Sequence, residues 1–125
     1  MKFDYKKPTV QMLGRWQPWH KGHTELFKNA LTKTGQVCIM VRDTEDNIDN
    51  PFNRSTVIKN IRKELTHEGY DYNIDYTIIL VPNIIDISYG RGVGYTFTEH
   101  NLGEEMHNIS ATKIRKKLRE EGKLG

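Results

Sequence analysis

Two histidines, His20 and His23, stand three residues apart in the stretch Gly14-Arg15-Trp16-Gln17-Pro18-Trp19-His20-Lys21-Gly22-His23. Imidazole is a hydrogen-bond donor whose charge adjusts near neutral pH, which suits charge building on a phosphate during transfer. A helix beginning near His20 would set both rings on one face of its first turn, where they can address a phosphate together. Such a helix start also offers unpaired N–H groups and the positive end of the helix dipole to an anion. Gly14 and Gly22 leave room for close approach of backbone to a ligand. Arg15 and Lys21 add positive charge. Trp16 and Trp19 are read first as core or rim packing, with a border to a second substrate as the other use. In a chain of this composition the pattern HxGH arises by chance about 1.6% of the time, so the tetrapeptide alone is a modest signal. Zinc is disfavoured, because the HExxH spacing and a nearby cysteine are both missing.

A second candidate cluster is Ile109-Ser110-Ala111-Thr112-Lys113-Ile114-Arg115. Ser110 and Thr112 would supply donors at a helix start, with Arg115 within its first turns, which together make an anion site. Taken alone, the same residues describe an ordinary serine N-cap. Gly90-Arg91-Gly92-Val93-Gly94-Tyr95 is not GxGxxG, since its third glycine comes one residue early. It reads either as a turn lending backbone and Arg91 to a nucleotide or as a purely structural turn. The basic run from Lys113 to Arg119 is followed by Glu120-Glu121 and reads first as a solvated helix face, with a binding patch as the other use.

These residues need a scaffold, and the apolar pattern supplies one. Val10 to Gly14 reads as a first strand, and Leu26, Phe27, Ala30 and Leu31 recur at helical spacing between about Gly22 and Lys33. Gly35 is placed to stop that helix. The apolar run Val37 to Val41 suits a strand covered on both faces, with Cys38 as a buried, inert thiol. Arg42 to Asn53 reads as a loop. A second helix follows over roughly Ser55 to His67, with Val57, Ile58, Ile61 and Leu65 on one face and Gly69 at its end. A third strand spans Tyr76 to Val81 before Pro82. Ile84 to Tyr89 is a candidate fourth strand, Gly94 to Glu99 a weaker fifth, and a last helix is expected from Ser110 to about Glu121. Strand and helix alternate in the rhythm of an α/β, Rossmann-like three-layer fold with a central, mostly parallel sheet. Ligands in such sheets bind beyond the carboxyl ends of the strands, where the first strand-to-helix loop lies.

The 125 residues fit one domain, 1–125, with one core. A net charge of +3 suits anionic small molecules and is too weak to argue for nucleic acid. MKFDYKKPTV has no apolar signal core, and no stretch approaches the length of a membrane span, so a soluble, cytoplasmic protein is expected with no membrane partner.

The chain resembles the HxGH nucleotidyltransferase superfamily, whose members move a nucleoside monophosphate from a triphosphate onto a phosphate or similar acceptor. Its first motif resembles the GRFQPFHxGH version of archaeal-type nicotinamide mononucleotide adenylyltransferases and their bifunctional bacterial relatives. Asp49-Asn50-Pro51-Phe52 resembles the ENPF segment of that branch, and Ile109 to Arg115 resembles the ISxTxIR motif. Where the branch carries a Glu-Arg pair after NPF, this chain has Thr56 and Val57, with Arg54 nearby. Its length is closer to the compact glycerol-3-phosphate cytidylyltransferases, which open with GTFD where this chain has Gly14-Arg15-Trp16-Gln17.

The resemblance implies an enzyme, with ATP the preferred donor and CTP the alternative. Nicotinamide mononucleotide is the leading acceptor and a phosphorylated alcohol such as glycerol 3-phosphate the second. It implies catalytic roles for His20, His23 and Lys21. Nucleotide contacts would come from Gly14, Arg15, Trp16, Gln17, Gly22, Gly90, Arg91, Ile109, Ser110, Thr112 and Arg115. Mg²⁺ is expected on the triphosphate, held by phosphates and water rather than by protein ligands. Small members of the superfamily often self-associate, so a homo-oligomer is open. A nucleotide-binding sensor without chemistry is the other class, disfavoured because binding alone needs no histidine pair.

Overall fold

A computed structural model describes residues 2–44, 51–90 and 96–98. Among them the order is β1 (Val10–Gly14), α1 (Lys21–Thr34), β2 (Val37–Arg42), α2 (Arg54–His67) and β3 (Tyr76–Val81). The three strands form one parallel sheet in the order β1-β2-β3. Each helix is therefore a crossover between neighbouring parallel strands, and the alternation expected of an α/β fold is present.

The register shows which side chains share a face. Val10, Met12 and Gly14 align with Val37, Ile39 and Val41, which align in turn with Tyr76, Ile78 and Leu80. Val37, Ile39 and Val41 are wholly buried, whereas Cys38, Met40 and Arg42 on the other face are half-buried. Phe27 and Ala30 of α1 and Val57, Ile61 and Leu65 of α2 join Met12, Val37, Ile39, Val41 and Tyr76 in one core. Both crossovers step in the same direction across the sheet, so right-handed connections bring both helices to the same face. Burying a side chain such as Phe27, Ile61 or Leu65 is worth ~1.5–3 kcal/mol.

The helix ends follow from local chemistry. Gly35 caps α1 in the left-handed region (φ 85°), donating its N–H to the Leu31 carbonyl at 2.8 Å. Asn53 caps the start of α2, its Oδ1 accepting from the Thr56 N–H at 2.9 Å. Gly69, also left-handed, follows α2.

Three expectations change. Ile84 to Tyr89 is not a strand: it has no regular structure, and Ile85 and Ile87 are 86% and 55% exposed. Its apolar spacing lacks a neighbouring strand among the described residues, and without a ladder partner such a run has nothing to hold it extended. Thr96 to Thr98, inside the candidate fifth strand, are likewise irregular and exposed. Cys38 is half-buried rather than buried, because it lies on the face away from α1 and α2; its burial still pushes the thiol up and keeps it protonated. The expected last helix lies outside the described residues.

Candidate active site

The loop between β1 and α1 converges on the His23 ring. His20 is the N-cap of α1, with extended backbone (φ −136°, ψ 179°). Its Nδ1 accepts from the Gly22 N–H at 3.0 Å, while His23 Nδ1 accepts from the His20 N–H at 3.1 Å. This is a reciprocal capping box in which histidine fills both positions usually taken by Ser/Thr and Glu/Gln. The arrangement lays the two imidazoles on one another, centroids 3.7 Å apart and planes 23° from parallel.

The cap also settles the chemistry of the pair. A ring whose Nδ1 accepts a hydrogen bond carries its neutral-state proton on Nε2, so each histidine has one donor left, the Nε2–H. Burial lowers the pKa of His20. Burial, and then the neighbouring His20, lower His23 to about 3. Both rings are therefore neutral at pH 7. The free N–H groups expected of the helix start are largely committed: Gly22 gives its N–H to the His20 ring, and His23 and Thr24 give theirs to the His20 carbonyl at 2.9 and 3.1 Å. The first turn exchanges backbone donors for two imidazole donors.

Two indoles complete the enclosure. Trp16 meets His23 edge-on at 4.9 Å, and Trp19 lies at 5.5 Å, tilted 54°. Trp16 Nε1 donates to the Met40 carbonyl at 3.1 Å, and Trp19 Nε1 donates to Thr24 Oγ1 at 2.8 Å. Trp16 sits at φ 54°, a conformation that costs a bulky residue about 1–3 kcal/mol and persists only where the surroundings impose it. Its ring occupies the space over Gly14, where a Cβ would come within 2.9 Å of the indole. The room at Gly14 therefore accommodates the Trp16 indole.

Gln17 is buried and pairs with Phe52 at both ends, its Nε2 donating to the Phe52 carbonyl at 2.8 Å and its Oε1 accepting from the Phe52 N–H at 2.9 Å. This amide joins the first motif to the Pro51-Phe52 end of the ENPF-like segment. Arg15 and Lys21 are exposed at the loop and the helix start. Arg54 is paired with Asp43 at 3.4 Å on the surface, Thr56 is exposed, and Val57 is in the core. A pocket of about 300 Å³ lies behind the loop, lined by Trp16, Pro18, Trp19, Phe52, Thr56, Val57 and Asn60.

Of the residues singled out from sequence, Gly14, Arg15, Trp16, Gln17, His20, Lys21, Gly22 and His23 lie together on this loop and helix start. Gly90 is at an exposed bend after β3. Arg91, Ile109, Ser110, Thr112 and Arg115 lie outside the described residues. Sequence reasoning missed Thr24, whose signal was a polar residue on the buried stripe of α1, and, although it singled out Phe52 in the ENPF-like segment, it did not foresee that the backbone of Phe52 pairs with Gln17. No group of three or more His, Cys, Asp or Glu able to hold a metal occurs among the described residues. No helix among them is long and apolar enough to cross a membrane.

The chain is similar to a nicotinamide-nucleotide adenylyltransferase of Methanococcus maripaludis, 30% identical over 131 residues covering 86% of this chain and 75% of the relative. One from Methanococcus vannielii is 33% identical over 86% of this chain and 75% of its own length. One from Ignicoccus hospitalis is 35% identical over 58% of this chain and 43% of its own length. Among solved structures, a bifunctional NMN adenylyltransferase/ADP ribose pyrophosphatase from Francisella tularensis superposes with a TM-score of 0.52 at 31% identity. That match covers 61% of this chain and 22% of the longer protein, and the Rossmann-like architecture is common to both. The same protein has also been solved complexed with AMP and a manganese ion. No family model matches the chain.

Proposed function

The chain belongs to the nicotinamide-nucleotide adenylyltransferase family, and on that footing we propose that it transfers AMP from ATP to nicotinamide mononucleotide and releases pyrophosphate. An oxygen of the acceptor's phosphate attacks the α-phosphorus of ATP in line. A new P–O bond forms there as the bond to the β-phosphate bridging oxygen breaks, and pyrophosphate leaves with that electron pair. A phosphate monoester is already largely ionised at pH 7, so the attack requires no general base.

The observation that carries this reading is the stacked, capped pair His20 and His23. Two neutral imidazoles, each holding a proton on Nε2, are donors and not bases, which matches a reaction whose need is stabilisation of charge on phosphate oxygens. Their fixed geometry requires no reorganisation as that charge builds. Lys21 and Arg15 would add positive charge at the rim for the triphosphate and the acceptor phosphate. Ser110, Thr112 and Arg115, following Ile109, would grip the β- and γ-phosphates, with Gly90 and Arg91 beside the base and ribose. Gly14, Trp16, Gln17 and Gly22 would shape the nucleotide site by holding the loop.

Magnesium would supply charge neutralisation on the triphosphate. The donors at hand are imidazole N–H groups, which complement phosphate oxygens rather than a cation, and this fits a metal carried by phosphates and water.

The test is pyrophosphate release from each of the four triphosphates paired with nicotinamide mononucleotide, glycerol 3-phosphate, phosphocholine or phosphopantetheine. ATP with nicotinamide mononucleotide is expected to dominate, and His20→Ala is expected to lower that turnover ~10²–10³-fold. Turnover confined to CTP and a phosphorylated alcohol, or ATP binding with no turnover on any acceptor, would reject the assignment.

A further inference from the structure

We propose that Thr24 is a positioning residue for the His23 ring and acts through Trp19. Trp19 is only 3% exposed, and an indole N–H withdrawn from water needs a partner. That partner is Thr24 Oγ1 at 2.8 Å, itself on a residue 4% exposed. The bond ties the residue just before the N-cap to the first turn of α1, so the indole is fixed against the helix that carries His23. The Trp19 ring then forms one wall of the His23 enclosure at 5.5 Å, next to Trp16, which is held by its own bond to Met40, while His20 is held by Gly22.

The hydroxyl answers a need created by this chain's own choice of side chain. The motif it resembles has phenylalanine at the position of Trp19, and phenylalanine has no N–H to satisfy. Without the Thr24 hydroxyl, Trp19 Nε1 would be stranded in the interior. The pocket of about 300 Å³ that borders Trp16, Trp19, Thr56 and Asn60 gives the indole room to swing toward polar groups. Either outcome removes one wall from His23. A ring displaced by an ångström loses its aim, a change that costs up to ~10² in rate.

The kinetic half of the proposal rests on the adenylyl-transfer reading; the structural half does not. The experiment compares Thr24→Val, Thr24→Ser, Trp19→Phe and the Trp19→Phe/Thr24→Val double variant in the full chain. Thr24→Val is expected to lower kcat tenfold or more with KM for ATP within about twofold, while Thr24→Ser retains most of the turnover. Long-range imidazole ¹H–¹⁵N spectra should show the His23 Nε2–H tautomer perturbed in Thr24→Val and restored in Thr24→Ser. In the Trp19→Phe background, where no N–H is stranded, Thr24→Val should have little effect on either readout, so the pair is strongly non-additive. Wild-type His23 signals in Thr24→Val, or an equal loss in both backgrounds, would overturn the proposal. If Thr24→Val does not fold, recovery of folding and His23 signals in the double variant supports it, and failure of the double variant refutes it. Unchanged turnover in a His23→Ala variant would defeat the functional reading while leaving the spectroscopic comparison decisive for Thr24.

Discussion

Replacing His23 by glutamine separates the two tasks of that ring. Glutamine at the third helical position can still reach back to the His20 N–H and keep the capping box, but it cannot titrate. In the wild-type protein His23 is lowered from 6.5 to about 3, by burial first and His20 second. Above pH 6.5 neither the folded nor the unfolded state protonates this group, and it places no penalty on folding. As the pH falls below 6.5 the unfolded chain takes up a proton that the folded chain refuses. Stability then drops by up to ~1.4 kcal/mol per pH unit until the folded ring charges near pH 3. Between pH 6.5 and 4.5 the bound is nearly 3 kcal/mol, and some contact of the half-buried ring with water brings the expectation to about 2 kcal/mol. Urea unfolding followed by circular dichroism at half-unit pH steps measures it, with His23→Gln as the reference that subtracts the carboxylates and other histidines. The wild type should lose about 2 kcal/mol more than the variant across that window. Parallel stability profiles would refute the locked, neutral pair.

The packing around the loop yields two further tests. Gly14→Ala sets a Cβ within 2.9 Å of the Trp16 indole, and an overpacked site of this kind should cost about 1–3 kcal/mol; urea unfolding reads the loss, and unchanged stability would mean the indole moves freely. Gln17→Ala strands the N–H and the carbonyl of Phe52, so about 1–3 kcal/mol of destabilisation is expected, with faster hydrogen exchange at the Phe52 amide than at Ile61. Exchange that stays slow there would show that the amide pairing is not what protects the segment.

Most of the scaffold was legible because it is written in short-range patterns. Val37 to Val41 is apolar and β-branched at Val37, Ile39 and Val41, Leu26, Phe27, Ala30 and Leu31 recur at helical spacing, and Gly35 and Pro82 punctuate where elements end. The same rule misled at Ile84 to Tyr89, since an apolar run indicates a strand only if a neighbour exists to pair with it. The histidine pair was legible as a pair on one helical turn. Its capping role was not, because histidine is seldom read as a capping residue and the expectation of free backbone donors went the other way. Gln17 to Phe52 spans 35 residues and Trp16 to Met40 spans 24; bonds of that reach depend on strand register, which no local window contains. Trp19 to Thr24 is close in sequence, but the choice of that hydroxyl as the indole's partner depends on both being buried.

The amide of Gln17 has a consequence for motion. By exchanging an N–H···O bond in each direction with Phe52, it imitates one rung of an antiparallel ladder beyond the end of a parallel sheet. The loop after the first strand is thereby spliced to the Pro51-Phe52 segment that leads into α2. Neither segment can shift without dragging the other, so motion at this junction should occur as one event with one rate, felt equally at Trp16 and at Phe52.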